Sequence, residues 1–179
     1  MATVDLLVQR LKSPETRRAA FEDVVRKYSR PLYTQIRRLV NWHEDADDVL
    51  QNTFMKAWLS LDGFRGEANI STWLYRIAFN ESLSHLAKQR EMISLSDEER
   101  EETRTLESDP YFDGEEVRLM LEKALQTLPD KQRIVFNLKY FDEMKYEEMS
   151  KMLETSVGAL KASYHLAVKK IETFFEENN

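Results

Sequence analysis

Cysteine is missing from this chain of 179 residues. Its absence excludes disulfides and thiolate metal sites. Histidine is nearly as scarce. The three present, His43, His85 and His165, are too widely separated for zinc-ligand spacing. There are only four glycines and four prolines. No stretch alternates apolar and polar residues over the length of a strand, so an all-α fold is expected. No apolar run approaches the roughly 20 residues needed to span a membrane. The first residues carry Asp5 and Arg10 and lack a long apolar core, so they do not read as a secretory signal. A cytoplasmic protein without direct membrane insertion is expected. Catalysis has no sequence support either: there is no paired nucleophile and base, no phosphate-cradling glycine loop and no cluster of metal ligands. An enzyme is not expected, nor is a cofactor or a metal.

A single dominant charge is also lacking. The formal net charge of −6 argues against nucleic-acid binding if taken whole. The charge is partitioned, however. Residues 1–90 hold 14 Lys and Arg against 11 Asp and Glu, whereas residues 91–114 hold 2 against 9, and residues 115–179 hold 10 against 12. The acidic excess is concentrated in the middle, and the first part is mildly basic. Local patches decide whether a phosphate backbone is attracted.

The composition is 42% hydrophobic, enough for one medium or two small cores. Residues 91–114 are polar and acidic and end in Asp-Pro and Asp-Gly turn signals. A long uncovered stretch inside one compact domain is uncommon, so this segment reads as a linker. Domains are therefore expected at 1–90 and 115–179. The spacing predicts helices at about 4–12, 14–28, 29–41, 44–61 and 70–88 in the first. In the second it predicts about 115–127, 130–141, 144–153 and 156–176.

Three segments carry the functional reading. In the first, Asp45–Trp58, the residues Ala46, Leu50, Phe54, Ala57, Trp58 and Leu61 recur at three- and four-residue spacing as a buried stripe. Asp45, Asp48, Gln51 and Asn52 occupy the other face. Acids at a helix start also serve the macrodipole, so spacing alone leaves their role open. The second segment is Phe64–Lys88. Gly63 and Gly66 bracket Phe64 and Arg65 in a loop, and Asn69 or Ser71 can cap the helix that follows. Arg76, Asn80, Ser84 and Lys88 then recur every four residues as one ridge without an acid. Such groups suit phosphates and base edges, and an aromatic loop suits an unstacked base. Trp73 and Tyr75 could equally be core.

The third segment, Met144–Ile171, reads as a helix-turn-helix. Its first helix would bury Tyr146, Met149 and Leu153. Its second, capped by Ser156, would bury Val157, Leu160, Tyr164, Ala167, Val168 and Ile171. The opposite face carries Gly158, Ala159, Ala162, His165, Leu166 and Lys169, small enough for close approach to a major groove. Lys161 and Lys170 flank it for phosphates.

The first segment resembles the polymerase-docking segment of the extracytoplasmic-function (ECF) group of bacterial sigma factors, whose usual form is close to DAEDLVQETFLKAW. The second, with F-R-G and S-T-W-L-Y-R-I-A-x-N, resembles the segment with which that group opens and reads the −10 promoter element. The third, with L-P-x-x-Q-R at Leu128–Arg133 and S-V-G-A-L-K-A-S-Y-H, resembles its −35-reading domain. The resemblance implies a sigma factor with core RNA polymerase, promoter DNA and an anti-sigma factor as partners. It implies polymerase contacts at Asp45, Asp48, Gln51, Asn52 and Phe54. It implies −10 contacts at Phe64, Arg65, Trp73, Arg76 and Asn80, with Ser84 and Lys88 along the same ridge. The −35 contacts would fall among Ser156, Gly158, Ala159, Lys161, Ala162, His165, Lys169 and Lys170. It also implies that the acidic linker threads basic polymerase channels. The chain departs from the family form at Glu154, where a glycine is usual, and at Ser163 and Leu166, where arginines are common. A helix-turn-helix regulator acting without polymerase, or an all-helical adaptor, would each account for only part of these features.

Overall fold

The computed structural model describes residues 2–40, 42–64, 66, 69–95 and 116–178. The described residues are helical throughout, joined by short turns, with no strand among them. The helices are α1 (Ala2–Lys12), α2 (Arg17–Arg37), α3 (His43–Leu59), α4 (Ile70–Leu95), α5 (Glu116–Gln126), α6 (Asp130–Tyr140), α7 (Tyr146–Leu153) and α8 (Val157–Glu177), with a 3-10 turn at Leu61–Gly63. None of the described helices is long and apolar enough to cross a membrane. The chain divides into two compact units, Met1–His85 and Leu86–Asn179. Most of the expected linker, residues 96–114, lies outside the described residues, although its first five positions continue α4.

In the first unit α2 corrects the expected break between residues 28 and 29. It runs unbroken through Pro31. Proline in a helix interior removes a hydrogen bond and costs about 3 kcal/mol. Burial overrides that cost here. Ala20, Val24, Leu32 and Ile36 are all at most 1% exposed and lie on one stripe at multiples of four residues. A break at Pro31 would put Leu32 and Ile36 out of phase with Val24. Pro31 itself is exposed, so water can reach the carbonyl four residues before it. Beyond the helix, buried Arg37 donates from Nη1 to the carbonyl of Val40 at 3.1 Å, which secures the exit.

The N-terminal arm is tied down at its junction with α2. Thr16 Oγ1 donates to the carbonyl of Arg10 at 2.8 Å, and Arg17 Nε donates to that of Leu11 at 3.1 Å. Arg10 pairs with Asp23 at 3.0 Å. α1 thus packs on both α2 and the 3-10 turn.

In the second unit α8 is the organising helix and packs against α5, α6 and α7. Ala124, Leu125, Leu128, Phe136, Ala167 and Ile171 form a buried cluster, flanked by Leu121, Tyr164, Val168, Phe174 and Phe175. Phe136 stacks between Tyr140, at 5.1 Å, and Tyr164, at 5.7 Å. The buried Arg133 guanidinium lies 3.1 Å from Asp130. Burial holds its pKa below the usual arginine value, against the opposing influence of Asp130.

The turn between α7 and α8 keeps the geometry of a glycine without having one. Glu154 sits in the left-handed region at φ 52° and ψ 40°. Its N–H and that of Thr155 both return to the carbonyl of Ser150. That conformation disfavours a residue with a Cβ by roughly 1 kcal/mol, part of which glycine's freedom in the unfolded chain offsets. Glu154→Gly should therefore raise stability by about 0.5 kcal/mol. Urea titration of the variant against wild type checks this, and a lowered midpoint would refute it.

Candidate functional site

The phase of α3 differs from the expected one. Ala46, Val49, Thr53 and Ala57 are the residues buried on this helix. Ala46, Ala57 and Leu61 keep the buried places assigned to them, but Leu50 and Phe54 are only half-buried and Trp58 is 41% exposed. α3 packs on α2, its buried residues are short or β-branched, and its large rings meet α2 at a more exposed edge. Phe21 of α2 meets Phe54 edge-on at 6.3 Å and Trp58 at 5.1 Å. Thr53 is fully buried because its hydroxyl donates to the carbonyl of Val49 at 2.7 Å, which removes its polar cost.

That phase exposes Asp48, Gln51 and Asn52 together. Helical spacing continues their ridge through Met55 and Leu59, which are 54% and 75% exposed. Neither Met55 nor Leu59 was among the expected contacts, although their spacing from Asp48 and Asn52 was available to find them. Two expected members stand apart. Asp45 turns toward α4, with Oδ1 3.2 Å from Nε2 of His85. Phe54 lies against Phe21. Lys56, on α3, pairs with Glu81 of α4, a second tie between these helices. Asp45→Asn should therefore lower the melting temperature of the first unit and disturb a ligand of the exposed ridge less than Asp48→Asn does. Parallel melting and binding measurements on the two variants test this, and the reverse order would refute it.

On α4 the expected ridge is present: Arg76, Asn80, Ser84 and Lys88 are all exposed. The opposite side buries Ile70, Leu74, Ala78, Phe79, Ser82 and Leu86. Asn69 is the cap, its Oδ1 accepting from the N–H of Ser71 at 3.3 Å. The aromatic loop before it differs from an open base platform. Phe64 is 6% exposed, and its ring lies 4.8 Å from that of half-buried Trp73. Gly66, at φ 78°, is pressed so close to α1 that a Cβ there would lie 2.9 Å from Cγ1 of Val8. Phe64 thus supports Trp73 from beneath in this conformation. Arg65 lies outside the described residues.

The helix-turn-helix supplies the third surface. Ser156 Oγ accepts from the N–H of Ala159 at 3.2 Å and caps α8. Leu160, Ala167 and Ile171 are buried, with Val157, Tyr164 and Val168 half-buried beside them. On α7 Met149 and Met152 are the buried pair, whereas Tyr146 and Leu153 are half-buried. Met152, three residues on from Met149, takes the buried place expected for Leu153. Ser156, Gly158, Ala159, Lys161, Ala162, His165, Leu166, Lys169 and Lys170 are all exposed. A Cβ built at Gly158 meets nothing within 4 Å, so the start of α8 presents open space. The face is small and nearly flat at its N-terminal end and carries lysines further along. It can enter a groove and meet phosphates.

Residues 24–92 match the Sigma-70 region 2 family, and residues 118–171 match Sigma-70, region 4. The RNA polymerase sigma-H factor of Pseudomonas aeruginosa is 29% identical over 176 residues, covering 93% of this chain and 90% of that protein. The ECF RNA polymerase sigma-E factor of Salmonella typhimurium is 29% identical over 180 residues, covering 95% and 93%. Among solved structures, the fold is similar to the sigma factor RpoE in complex with the anti-sigma factor NepR from Bartonella quintana. The TM-score is 0.73 at 24% identity, over 89% of this chain and 98% of that one.

Proposed function

Because the chain belongs to the sigma-70 family, in its ECF group, we propose that it binds core RNA polymerase and directs it to promoters by reading −10 and −35 elements. It acts as an initiation factor in the cytoplasm and not as a catalyst. Domain roles follow residues 1–90 for docking and −10 reading, 91–114 for an acidic linker and 115–179 for −35 reading.

The observation that carries this reading is the exposed α3 ridge in a chain that also holds a helix-turn-helix. A DNA-binding regulator acting alone has no use for Asp48, Gln51, Asn52, Met55 and Leu59 on one open face. An adaptor has no use for a Ser-capped α8 with a small, then basic, open face. Arg76, Asn80, Ser84 and Lys88 line the −10 strand in this reading, with Trp73 beside them. Phe64 and Arg65 join them when the loop meets an unstacked base, which requires the loop to part from α1. The residues from Ser156 to Lys170 on the open face of α8 meet the −35 duplex. The Bartonella quintana protein was solved with an anti-sigma factor, and we extend the same kind of control to this chain.

Run-off transcription with core polymerase over a promoter library tests the proposal. The expected result is transcripts that need this chain and share one −10 and one −35 sequence. A salt-sensitive shift of duplex DNA without polymerase, together with no transcription, would favour the lone regulator.

A further inference from the structure

Residues 24–43 are the longest stretch of the chain without an acid, and they carry five Lys and Arg. The comparable stretch through the helix-turn-helix, residues 155–171, carries three. Residues 115–179 are net negative, so general attraction to a phosphate backbone has to come mainly from the first part of the chain. Neither the α3 ridge nor the α4 ridge uses the cations of α2. On that helix Arg26, Arg30 and Thr34 recur every four residues, and Lys27 stands beside them, so they share one side. Arg26, Lys27 and Arg30 are exposed, whereas Val24, Leu32, Gln35 and Ile36 on the other side are buried.

Two ordinary explanations for these cations fall short. Cations in the last turn of a helix serve its macrodipole, which accounts for Arg37 and Arg38 but not for Arg30, two turns earlier. Ion pairing accounts for Arg18, 3.4 Å from Glu22. It accounts only loosely for Arg26, 3.8 Å from Asp23, whose other oxygen already meets Arg10 at 3.0 Å. Lys27 Nζ lies 5.4 Å from the centroid of the Tyr28 ring and has no carboxylate partner among the described residues. Arg30 has neither an ion pair nor a side-chain hydrogen bond among them. Arg26 and Arg30, four residues apart, repel each other, and an anion along the face would relieve that repulsion.

The chemistry of the face selects the anion. The core of a protein interface is depleted in charge and built on large apolar groups, and α2 exposes no large apolar side chain. A single strand is held by exposed aromatic rings on which its bases stack, and Tyr28 and Tyr33 are half-buried. What remains is contact with backbone phosphates alone, which a duplex presents in a regular row.

We propose that the exposed face of α2, with Arg26, Lys27 and Arg30, is a sequence-independent docking surface for the phosphate backbone of duplex DNA. It adds a third DNA contact to the promoter reading given above and rests on that reading.

The test uses the full chain with a mixed-sequence duplex of about 20 base pairs and a single strand of the same length, since phosphate contacts carry no sequence information. Binding is followed by fluorescence anisotropy between about 50 and 200 mM salt. Arg30→Gln should flatten the log–log salt slope on duplex by about one, because each neutralised phosphate contributes about 0.9. Arg26→Gln, Lys27→Gln and Arg30→Gln together should flatten it by about two to three, with the melting temperature unchanged. Arg26→Lys with Arg30→Lys, which keeps both charges, should hold the wild-type slope. Arg18→Gln makes the same charge change on the same helix, at a cation paired with Glu22 and off the face, and should leave the slope alone. Equal flattening by Arg18→Gln and Arg30→Gln would reduce the effect to net charge and overturn the proposal. So would an unchanged duplex slope in the folded triple variant, a loss confined to the single strand, or a wild-type chain that does not bind duplex in a salt-dependent way. A triple variant that keeps its DNA slopes but loses core polymerase would assign the face to a protein partner, and the proposal would be wrong. Run-off transcription with the wild-type chain separates the two readings. Transcripts alongside an unchanged slope strike the α2 face alone, whereas no transcripts strike the promoter reading beneath it.

Discussion

Asp48→Arg combined with Gln51→Ala is expected to weaken binding to core RNA polymerase by at least about tenfold, or roughly 1.4 kcal/mol, without a change in melting temperature. Both side chains are exposed on α3, on the side away from buried Ala46, Val49, Thr53 and Ala57. Neither has a hydrogen bond or ion pair within the described residues, so the fold loses nothing when they change. Asp48 is the sixth residue of the helix, beyond the first turn where the macrodipole favours acids most. Reversing its charge changes a single-mutant energy through the partner and not through the helix. Asp47→Arg is the control. It makes the same charge change one residue away, on the exposed surface but off the ridge. If the effect came from net charge alone, the two substitutions would weaken binding equally. Unchanged affinity in a folded Asp48→Arg, Gln51→Ala protein would remove the docking assignment altogether.

The same ridge shows what the sequence could and could not reveal. The polar face of α4 and the open face of α8 were legible because exposure follows from periodicity when polar residues recur without interruption. Arg76, Asn80, Ser84 and Lys88 needed no knowledge of what packs on the other side. The phase of α3 was not legible in this way. Phe54 and Trp58 are its largest apolar residues, and size drew the expected stripe toward them. The buried places fall instead on the short or β-branched Ala46, Val49, Thr53 and Ala57 of a helix that packs on α2, and two helices approach more closely where side chains are short. Asp45 was assigned outward for the same reason, and its His85 partner lies forty residues away in sequence. The break between residues 28 and 29 was placed by a local rule that tolerates a proline such as Pro31 in the first turn of a helix. The rule lost to a buried stripe on both sides of the proline, a quantity set by tertiary contact. Phe64 was read from its flanking glycines as open. Its ring is instead buried against Trp73, in a loop whose Gly66 is pressed against Val8 of α1, and the sequence of α1 gives no sign of where it docks.

Asn80→Ala and Lys161→Ala should fail on different promoter elements. Asn80 is exposed on the α4 ridge, and an amide can read a base edge. Losing such a contact should cost roughly 1–3 kcal/mol and relax preference at one position. Lys161 is exposed on α8, at the edge of the face that begins with Gly158. Losing a phosphate contact should weaken binding to all sequences alike and flatten the salt dependence. Transcription by holoenzyme from promoters altered separately at −10 and −35 distinguishes these outcomes. With Asn80→Ala, one −10 substitution should lose its penalty while every −35 substitution keeps its own. With Lys161→Ala, all promoters should weaken together, and raising the salt should narrow the gap to wild type. Both substitutions are on exposed helical positions where alanine is favoured, so folding does not confuse the comparison. Identical responses of the two variants to both sets of promoters would mean that α4 and α8 do not read separate elements.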